Sequence, residues 1–412
     1  MADAVSRGMT SPETGQASSA LSGLIHPTDV DTFVRDHWEK RPLVVSRGDP
    51  EYFADLLTLD DVDYVLSMSS LTSDELRVVL DGNETPVSSL FSGGPNGPMN
   101  ALEALYAYYR KGSTIILNSL DRRWEPLKRL CGTLCTETSS RFQANVYITP
   151  AGAQGFKAHY DMHDVFVLQV HGTKRWRLYA SPLQLPLRGQ SYDKSGPSPG
   201  DPEQEFDLHA GDVLYLPRGI IHSAKSNEGT SVHVTIGAHP LLWSDLIQAE
   251  IKKVFAADVR FRKGLPIGFA SDGAARHKMQ KAIEELLGSL WQQLSPPDMV
   301  EQSLKRAASL GPPALRHHLS DLEDVAEVGV DTLVRRRPDL RWKTTVTRDA
   351  VSLDFHNKTV QFPARVADEV RFVAEHNGNG GFAAAEIPGD LDSPGRQVLI
   401  RALVREGFLT LG

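Results

Sequence analysis

Asn145-Val-Tyr-Ile-Thr149, Val165-Phe-Val-Leu-Gln-Val170, Arg175-Trp-Arg-Leu-Tyr179, Asp212-Val-Leu-Tyr-Leu216 and Val232-His-Val-Thr-Ile236 are five short runs, each dominated by β-branched, aromatic and aliphatic side chains. Gly, Pro and Asp separate them. Short strands at this spacing predict a β-sandwich or barrel between Arg141 and Pro240. The polar stretch from Arg188 to Asp201 reads as a surface loop between two of the strands.

Outside this block the texture changes. Upstream, from Val30 to Leu120, the pattern is mixed, with helical stretches at Val30 to Trp38 and Ala101 to Arg110. Downstream of Pro240 the apolar period becomes helical. Leu242, Leu246, Ile247, Ile251, Val254 and Phe255 make one stripe, and Met279, Ile283, Leu286, Leu287, Leu290 and Trp291 a second. Such helices form a bundle or oligomerisation module, or simply pad the barrel. Near the end, Val351, Leu353 and Phe355 alternate, His356-Asn357-Lys358 turns, and Val360 and Phe362 alternate back as a hairpin. A helix follows from Ala364 to His376, then a Gly-rich loop, a helix opened by Ser393-Pro394, and a strand at Phe408 to Leu411.

The fold expected is therefore α+β. Residues 1–22 are read as a disordered N-terminus, 23–240 as the barrel domain, 241–325 as a helical dimerisation domain and 326–412 as a winged-helix-like domain. A winged helix often binds DNA, but from Ala326 to Gly412 there are 12 Lys and Arg against 12 Asp and Glu. The candidate recognition helix carries Arg396, Arg401 and Arg405 beside Asp392 and Glu406. Without a basic face phosphate neutralisation is weak, so DNA binding is not expected and a structural or protein-docking role is favoured.

Composition agrees with a folded chain of several domains. It has 412 residues, 41% hydrophobic and 23% charged, with a formal net charge of −8. That sign disfavours a protein that coats nucleic acid or an anionic membrane. Cys131 and Cys135 are the two cysteines, which excludes a disulfide framework or thiolate cluster. They lie four apart in a helical pattern and are read as buried packing. The first residues have no apolar signal-peptide core, and no run of apolar residues is long enough to span a bilayer. A cytoplasmic location and no membrane partner are expected.

Chemistry concentrates in two stretches. Gly155-Phe-Lys-Ala-His159-Tyr-Asp161-Met-His163-Asp164 places His159 and Asp161 at i and i+2, on one side of an extended segment. Gly211-Asp-Val-Leu-Tyr-Leu-Pro217-Arg-Gly219-Ile-Ile-His222 reads as turn, strand and second turn, ending on His222. Two imidazoles and one carboxylate leave coordination positions free, as non-haem Fe(II) oxygenases require. A structural zinc site would close all four positions, normally with sulfur. A lone His-x-Asp pair carries little weight; set in a β-rich block with the Pro-Gly turn and distal His, it carries much more.

These residues resemble the motifs of the JmjC-type 2-oxoglutarate oxygenases, which share the double-stranded β-helix (jelly-roll, cupin) barrel. The order of barrel, helical segment and winged-helix-like tail is similar to the ribosomal oxygenase subgroup. The resemblance implies that His159, Asp161 and His222 are both the metal ligands and the catalytic centre, with Fe(II), 2-oxoglutarate and O₂ as cofactor and cosubstrates. It implies that Lys174 binds the distal carboxylate of 2-oxoglutarate. Strand alternation agrees, putting Lys174, Trp176 and Leu178 on one face and Arg175, Arg177 and Tyr179 on the other. A buried ammonium needs an anionic partner, which a dicarboxylate supplies.

By the same resemblance Asn145, Tyr147 and Thr235 line the cosubstrate pocket; a plain barrel aromatic and a plain β-branched residue remain open readings of Tyr147 and Thr235. Tyr160, Met162 and Asp164 flank the metal pair and are candidate substrate contacts. His163 shares the i+2 spacing, but a bend expected after Asp161 carries it toward solvent or substrate. His171, His209, His233 and His239 have no turn motif and are read as structural or exposed. The implied activity is hydroxylation of a protein side chain, an Arg or His residue of a ribosomal protein, and the two apolar helical stripes after Pro240 make a homodimer the expected assembly. The alternatives are an oxygenase acting on a small molecule or biosynthetic peptide, and a non-catalytic metal-binding cupin serving as scaffold or sensor.

Overall fold

The structure, a computed structural model, describes residues 19–69, 72–88, 101–193, 198–311, 315–337, 340–376 and 381–411. The chain divides into two compact units, residues 1–239 and 240–412.

The first unit opens with α1 (Ala20–Ile25), α2 (Val30–Asp36), β1 (Leu43–Val45), α3 (Leu59–Met68), β2 (Leu76–Leu80), β3 (Asn83–Thr85), α4 (Ala101–Arg110), β4 (Thr114–Leu117) and α5 (Glu125–Thr138). The barrel strands follow: β5 (Arg141–Thr149), β6 (Asp164–His171), β7 (Thr173–Tyr179), β8 (Gln204–His209), β9 (Val213–Leu216), β10 (Ile221–Ser226) and β11 (Ser231–His239). They form an eight-stranded sheet in the order β1-β9-β6-β11-β5-β4-β2-β3 and a smaller sheet β10-β7-β8. Every pairing in both sheets is antiparallel. This is the double-stranded β-helix of the cupin class.

Pleat alternation splits the apolar residues of this unit between two layers. Val165, Val167, Leu214 and Leu216 pack against Trp176, Leu178 and Leu208 of the smaller sheet. The alternate residues Phe166 and Tyr215 meet Phe33 of α2, at ring distances of 5.8 and 4.9 Å. Strands β6, β9 and β11 are thus buried on both faces, which is why their sequences read as nearly continuous apolar runs.

The disorder expected for residues 1–22 is corrected at its C-terminal end. Residues 1–18 lie outside the described residues, but Ser19 caps α1, and the Glu137 carboxylate accepts from the N–H groups of Ala20 and Leu21 at 2.8 and 2.9 Å. A carboxylate on the first amides of a helix satisfies donors that have no partner within it.

The second unit contains α6 (Trp243–Ala257), α7 (Gly273–Gln293), α8 (Pro296–Ala308), α9 (His318–Asp324), β12 (Arg335–Arg336), β13 (Lys343–Val346), β14 (Ala350–Phe355), β15 (Lys358–Pro363), α10 (Ala367–Glu375), α11 (Ser393–Arg405) and β16 (Leu409–Thr410). The β14–β15 hairpin packs with α10 and α11 around Leu353, Phe355, Val370, Leu403 and Phe408. A buried ion pair between Arg337 and Asp321 ties α9 to the chain end, where Asp321 accepts from the Leu411 N–H at 3.0 Å. No helix among the described residues is long and apolar enough to cross a membrane.

Candidate metal centre and its pocket

Backbone hydrogen bonds join the two chemistry-bearing segments. The His159 N–H donates to the His222 carbonyl at 3.1 Å, and the His222 N–H to the His159 carbonyl at 2.8 Å. The Gly219 N–H donates to the Asp161 carbonyl at 3.0 Å. Gly219 has φ near 91°, and a Cβ there would collide with the Leu183 carbonyl, so the turn takes glycine. His222 follows as the second residue of β10, so a strand rather than the turn itself aims the imidazole.

One ligand atom from each of His159, Asp161 and His222 lies within 4.8 Å of the others. His159 Nε2 is 3.9 Å from Asp161 Oδ1, and His222 Nε2 is 3.8 Å from Asp161 Oδ2. Each Nδ1 sits 2.9 Å from the carbonyl two residues earlier, His159 on Lys157 and His222 on Ile220. With Nδ1–H donating there, both Nε2 lone pairs point at the carboxylate, the outer-shell arrangement that orients metal-binding imidazoles. Burial, reinforced by His159, lowers the His222 pKa to about 4, so the ring is neutral at pH 7. Burial alone would raise Asp161, but the imidazoles of His159, His222, His163 and His239 hold it below the usual carboxylate range. Two imidazoles, each with its Nε2 facing a carboxylate oxygen donor, fit a divalent cation of the Fe(II) kind.

Beside this cluster lies a cavity lined by Tyr147, Phe156, Lys174, Trp176, His233 and Thr235. Lys174 is 3% exposed, and its Nζ donates to Thr149 Oγ1 at 3.1 Å, with His233 Nδ1 at 3.5 Å. It pairs with no carboxylate among the described residues, and burial alone lowers its pKa to about 7. The Tyr147 ring stacks on His233 at 4.7 Å, and burial, with the charge of Asp161, raises its phenol. A buried ammonium that pairs with no carboxylate among the described residues, beside a protonated phenol, makes a receptor for a carboxylate.

The other predicted residues divide. Thr235 lines the cavity. Asn145 shares a strand face with Tyr147, but its Oδ1 accepts the Ser119 N–H at 2.8 Å and the residue does not line the cavity. Met162 is 37% exposed. Tyr160 is corrected: it is buried, and its hydroxyl donates to the Gln190 carbonyl at 3.0 Å, so it anchors a loop. Asp164 is corrected too: it is fully buried and accepts from the Arg218 N–H at 3.0 Å and from Arg218 Nη1 at 2.9 Å. Bends at residues 162 and 163 separate it from the ligand pair, and its carboxylate is committed to Arg218.

His233, read from the sequence as structural or exposed, lines the cavity, as does Phe156, which no motif singled out. The Phe156 ring contacts both Tyr147 and His159, at 6.3 and 5.6 Å, and the Arg77 guanidinium lies 4.9 Å over it. The signal for His233 is its place two residues before Thr235 on the same strand face, opposite Tyr147 in the β5–β11 register.

Such a barrel, with a His-x-Asp pair and a distal His converging at one end, defines a cupin-type metal-binding protein. Residues 121–246 match the family model of the JmjC domain, and the barrel of this chain is a JmjC domain. Over 323 residues the chain is 31% identical to the bifunctional lysine-specific demethylase and histidyl-hydroxylase NO66 of Drosophila persimilis, covering 69% of this chain and 46% of that protein. It is 34% identical over 264 residues to ribosomal oxygenase 2 of Mus musculus, covering 60% and 54%. The chain thus spans about half the length of these two relatives. The solved structure of YcfD, a ribosomal oxygenase from Escherichia coli in complex with cobalt and 2-oxoglutarate, is similar in fold, with a TM-score of 0.51 at 18% identity over 93% of this chain and 98% of that one.

The Asp164–Arg218 pair stands directly behind the centre. Asp164→Ala removes the Arg218 guanidinium's fully buried partner, leaving it Glu39 alone, and is expected to destabilise the fold by about 2–3 kcal/mol. Urea unfolding checks this; a loss below about 0.5 kcal/mol contradicts it.

Proposed function

We propose that this chain is an Fe(II)- and 2-oxoglutarate-dependent oxygenase that hydroxylates an Arg or His side chain of a ribosomal protein. The observation that carries the reading is the three-donor cluster opening on a cavity whose buried lysine pairs with no carboxylate among the described residues. The names of the relatives, and the cobalt and 2-oxoglutarate bound by YcfD, support it.

In this reading His159, Asp161 and His222 hold Fe(II), and Lys174 and Tyr147 take the distal carboxylate of 2-oxoglutarate, with Thr235 beside them. When bound, the metal couples oxidative decarboxylation of 2-oxoglutarate by O₂, giving succinate and CO₂, to hydroxylation of a C–H bond. The chain's own residues bind, orient and exclude water. The Nδ1 bonds to Lys157 and Ile220 hold the imidazoles in one tautomer. Tyr147 keeps its proton and so donates to the carboxylate. Phe156 and Trp176 wall the cavity with apolar surface.

In the second unit, 241–325 is assigned to dimerisation and 326–412 to a structural or protein-docking role. Exposed apolar side chains support the first assignment: Trp243, Ile247 and Phe255 on α6, with Ile283, Leu287 and Trp291 on α7. Trp243 and Trp291 are each about 80% exposed, large apolar side chains of the kind an interface covers.

Purified protein with Fe(II) and ascorbate is expected to convert 2-oxoglutarate to succinate, and to add one oxygen to a ribosomal protein by intact mass. His159→Ala and Asp161→Ala should abolish both. Succinate formation without any ribosomal mass gain points instead to a small-molecule or peptide substrate.

Affinity for 2-oxoglutarate should depend on pH through Lys174. With a pKa of about 7 in the empty cavity, the ammonium is present below that pH and lost above it. The ligand selects the charged form, so Kd is expected to be flat at low pH and to rise by about tenfold per unit well above pH 7. Calorimetry with Mn(II) under anaerobic conditions reads this, and Lys174→Met should weaken binding and remove the slope.

Light scattering after size exclusion is expected to give a dimer at micromolar concentration, with Trp243→Glu and Trp291→Glu shifting it to monomer.

A further inference from the structure

Outward from Thr235, the cavity face of β11 continues through Gly237 to His239. The facing positions on β5 run from Asn145 through Gln143 to Arg141, paired in that order. This ladder carries the barrel interior from the metal cluster to its rim.

The His163 ring lies directly over Gly237. A Cβ at position 237 would stand 3.1 Å from His163 Cε1 and 3.2 Å from Nδ1, closer than ordinary van der Waals contact. Glycine here makes room for an imidazole, since its own backbone conformation does not require it. The His239 ring packs on the other side, centroid to centroid at 4.7 Å and tilted by 58°. His163 is half-buried, and its Nδ1 lies 3.3 Å from the Asp164 carbonyl. With Nδ1 donating there, Nε2 is an acceptor with no hydrogen-bond partner among the described residues.

The charged groups that act on His239 are His163, Arg141, Arg188 and Asp161, and burial together with the cations holds the His239 pKa down to about 3. Asp161 belongs to the metal cluster, so the rim around these rings carries cationic side chains, and burial keeps the His239 imidazole uncharged. A group entering here meets acceptor nitrogens and no uncommitted carboxylate from this set. That chemistry suits an uncharged N–H donor.

We propose that His163, seated on Gly237 and backed by His239, is a specificity-determining residue whose Nε2 accepts a hydrogen bond from an uncharged N–H of the substrate polypeptide at the barrel mouth. The proposal rests on the oxygenase reading above and adds to it where the substrate chain is held. His163 is distinct from the ligands: it takes no part in the three-donor cluster and does not line the cavity that holds Lys174.

The test uses full-length protein and total ribosomal protein extracted from ribosomes of the source organism. The rate of gain of one oxygen is followed by intact mass against substrate concentration. Equilibrium affinities for Mn(II) and 2-oxoglutarate are measured in parallel. His163→Leu, which keeps bulk but removes the acceptor, is expected to raise the KM of the modified ribosomal protein at least tenfold. Its kcat should change less than threefold, and both equilibrium affinities should stay within twofold of wild type. His163→Gln, which restores an acceptor oxygen, should recover most of the KM. Gly237→Ala, which displaces the ring without altering its chemistry, should raise KM in the same direction. An unchanged KM in His163→Leu overturns the proposal, as does a loss of Mn(II) or 2-oxoglutarate affinity, which would make the role structural. No mass gain with the wild-type protein removes the oxygenase reading on ribosomal protein, and the proposal with it.

Discussion

The reciprocal backbone pairing of His159 with His222 is the constraint on which the centre depends. These residues are far apart in the chain, and their side chains can share an ion only if the backbones are held in register first. The third bond, from Gly219 to the Asp161 carbonyl, fixes the carboxylate relative to the same frame. Behind it, the buried Asp164–Arg218 pair joins the same two segments a second time, one residue from the Gly219 turn. Ring direction is then set locally, each Nδ1 on its own chain's carbonyl. The geometry is preorganised by the fold, so binding need not supply the entropy cost of gathering the ligands.

Charge is arranged in the same economical way along a single strand. On β7 the outward Arg175 and Arg177 are neutralised across the sheet by Asp207 and Glu205, at 2.7 Å. The inward Lys174 has no such partner among the described residues, and its ammonium is destabilised by burial. A cation left uncompensated in an apolar wall costs stability in the empty protein, and an anionic ligand removes that cost. The interior thus changes character with depth, from a lysine at the base, through the carboxylate-imidazole cluster, to imidazoles and guanidiniums at the rim.

Much of this was legible in the chain because strand pleating and helical period are local properties. The five runs between Arg141 and Pro240 became β5, β6, β7, β9 and β11, and the apolar stripes after Pro240 became α6 and α7. The inward face of β7 followed from alternation alone. Strands β4, β8 and β10 escaped notice: β4 is only four residues long, and β8 and β10 carry Gln, Glu, Asp and Ser, so neither shows an apolar pattern. Tyr160 and Asp164 were misplaced because adjacency to a motif says nothing of which way a bend turns. His233 read as structural or exposed because its partners, Tyr147 and Lys174, come from other strands.

By itself the sequence determined the β-rich barrel, the donor types available to a metal and the lysine that must face inward, since each depends on residue identity and a period of a few residues. The tertiary structure alone decided which imidazoles converge, that Asp164 is a buried brace, that α1 is anchored by Glu137, and that His163 rests on Gly237. Those outcomes depend on register between strands and on the path of a bend. Both are settled by packing between segments tens to more than a hundred residues apart, about which no local pattern carries information.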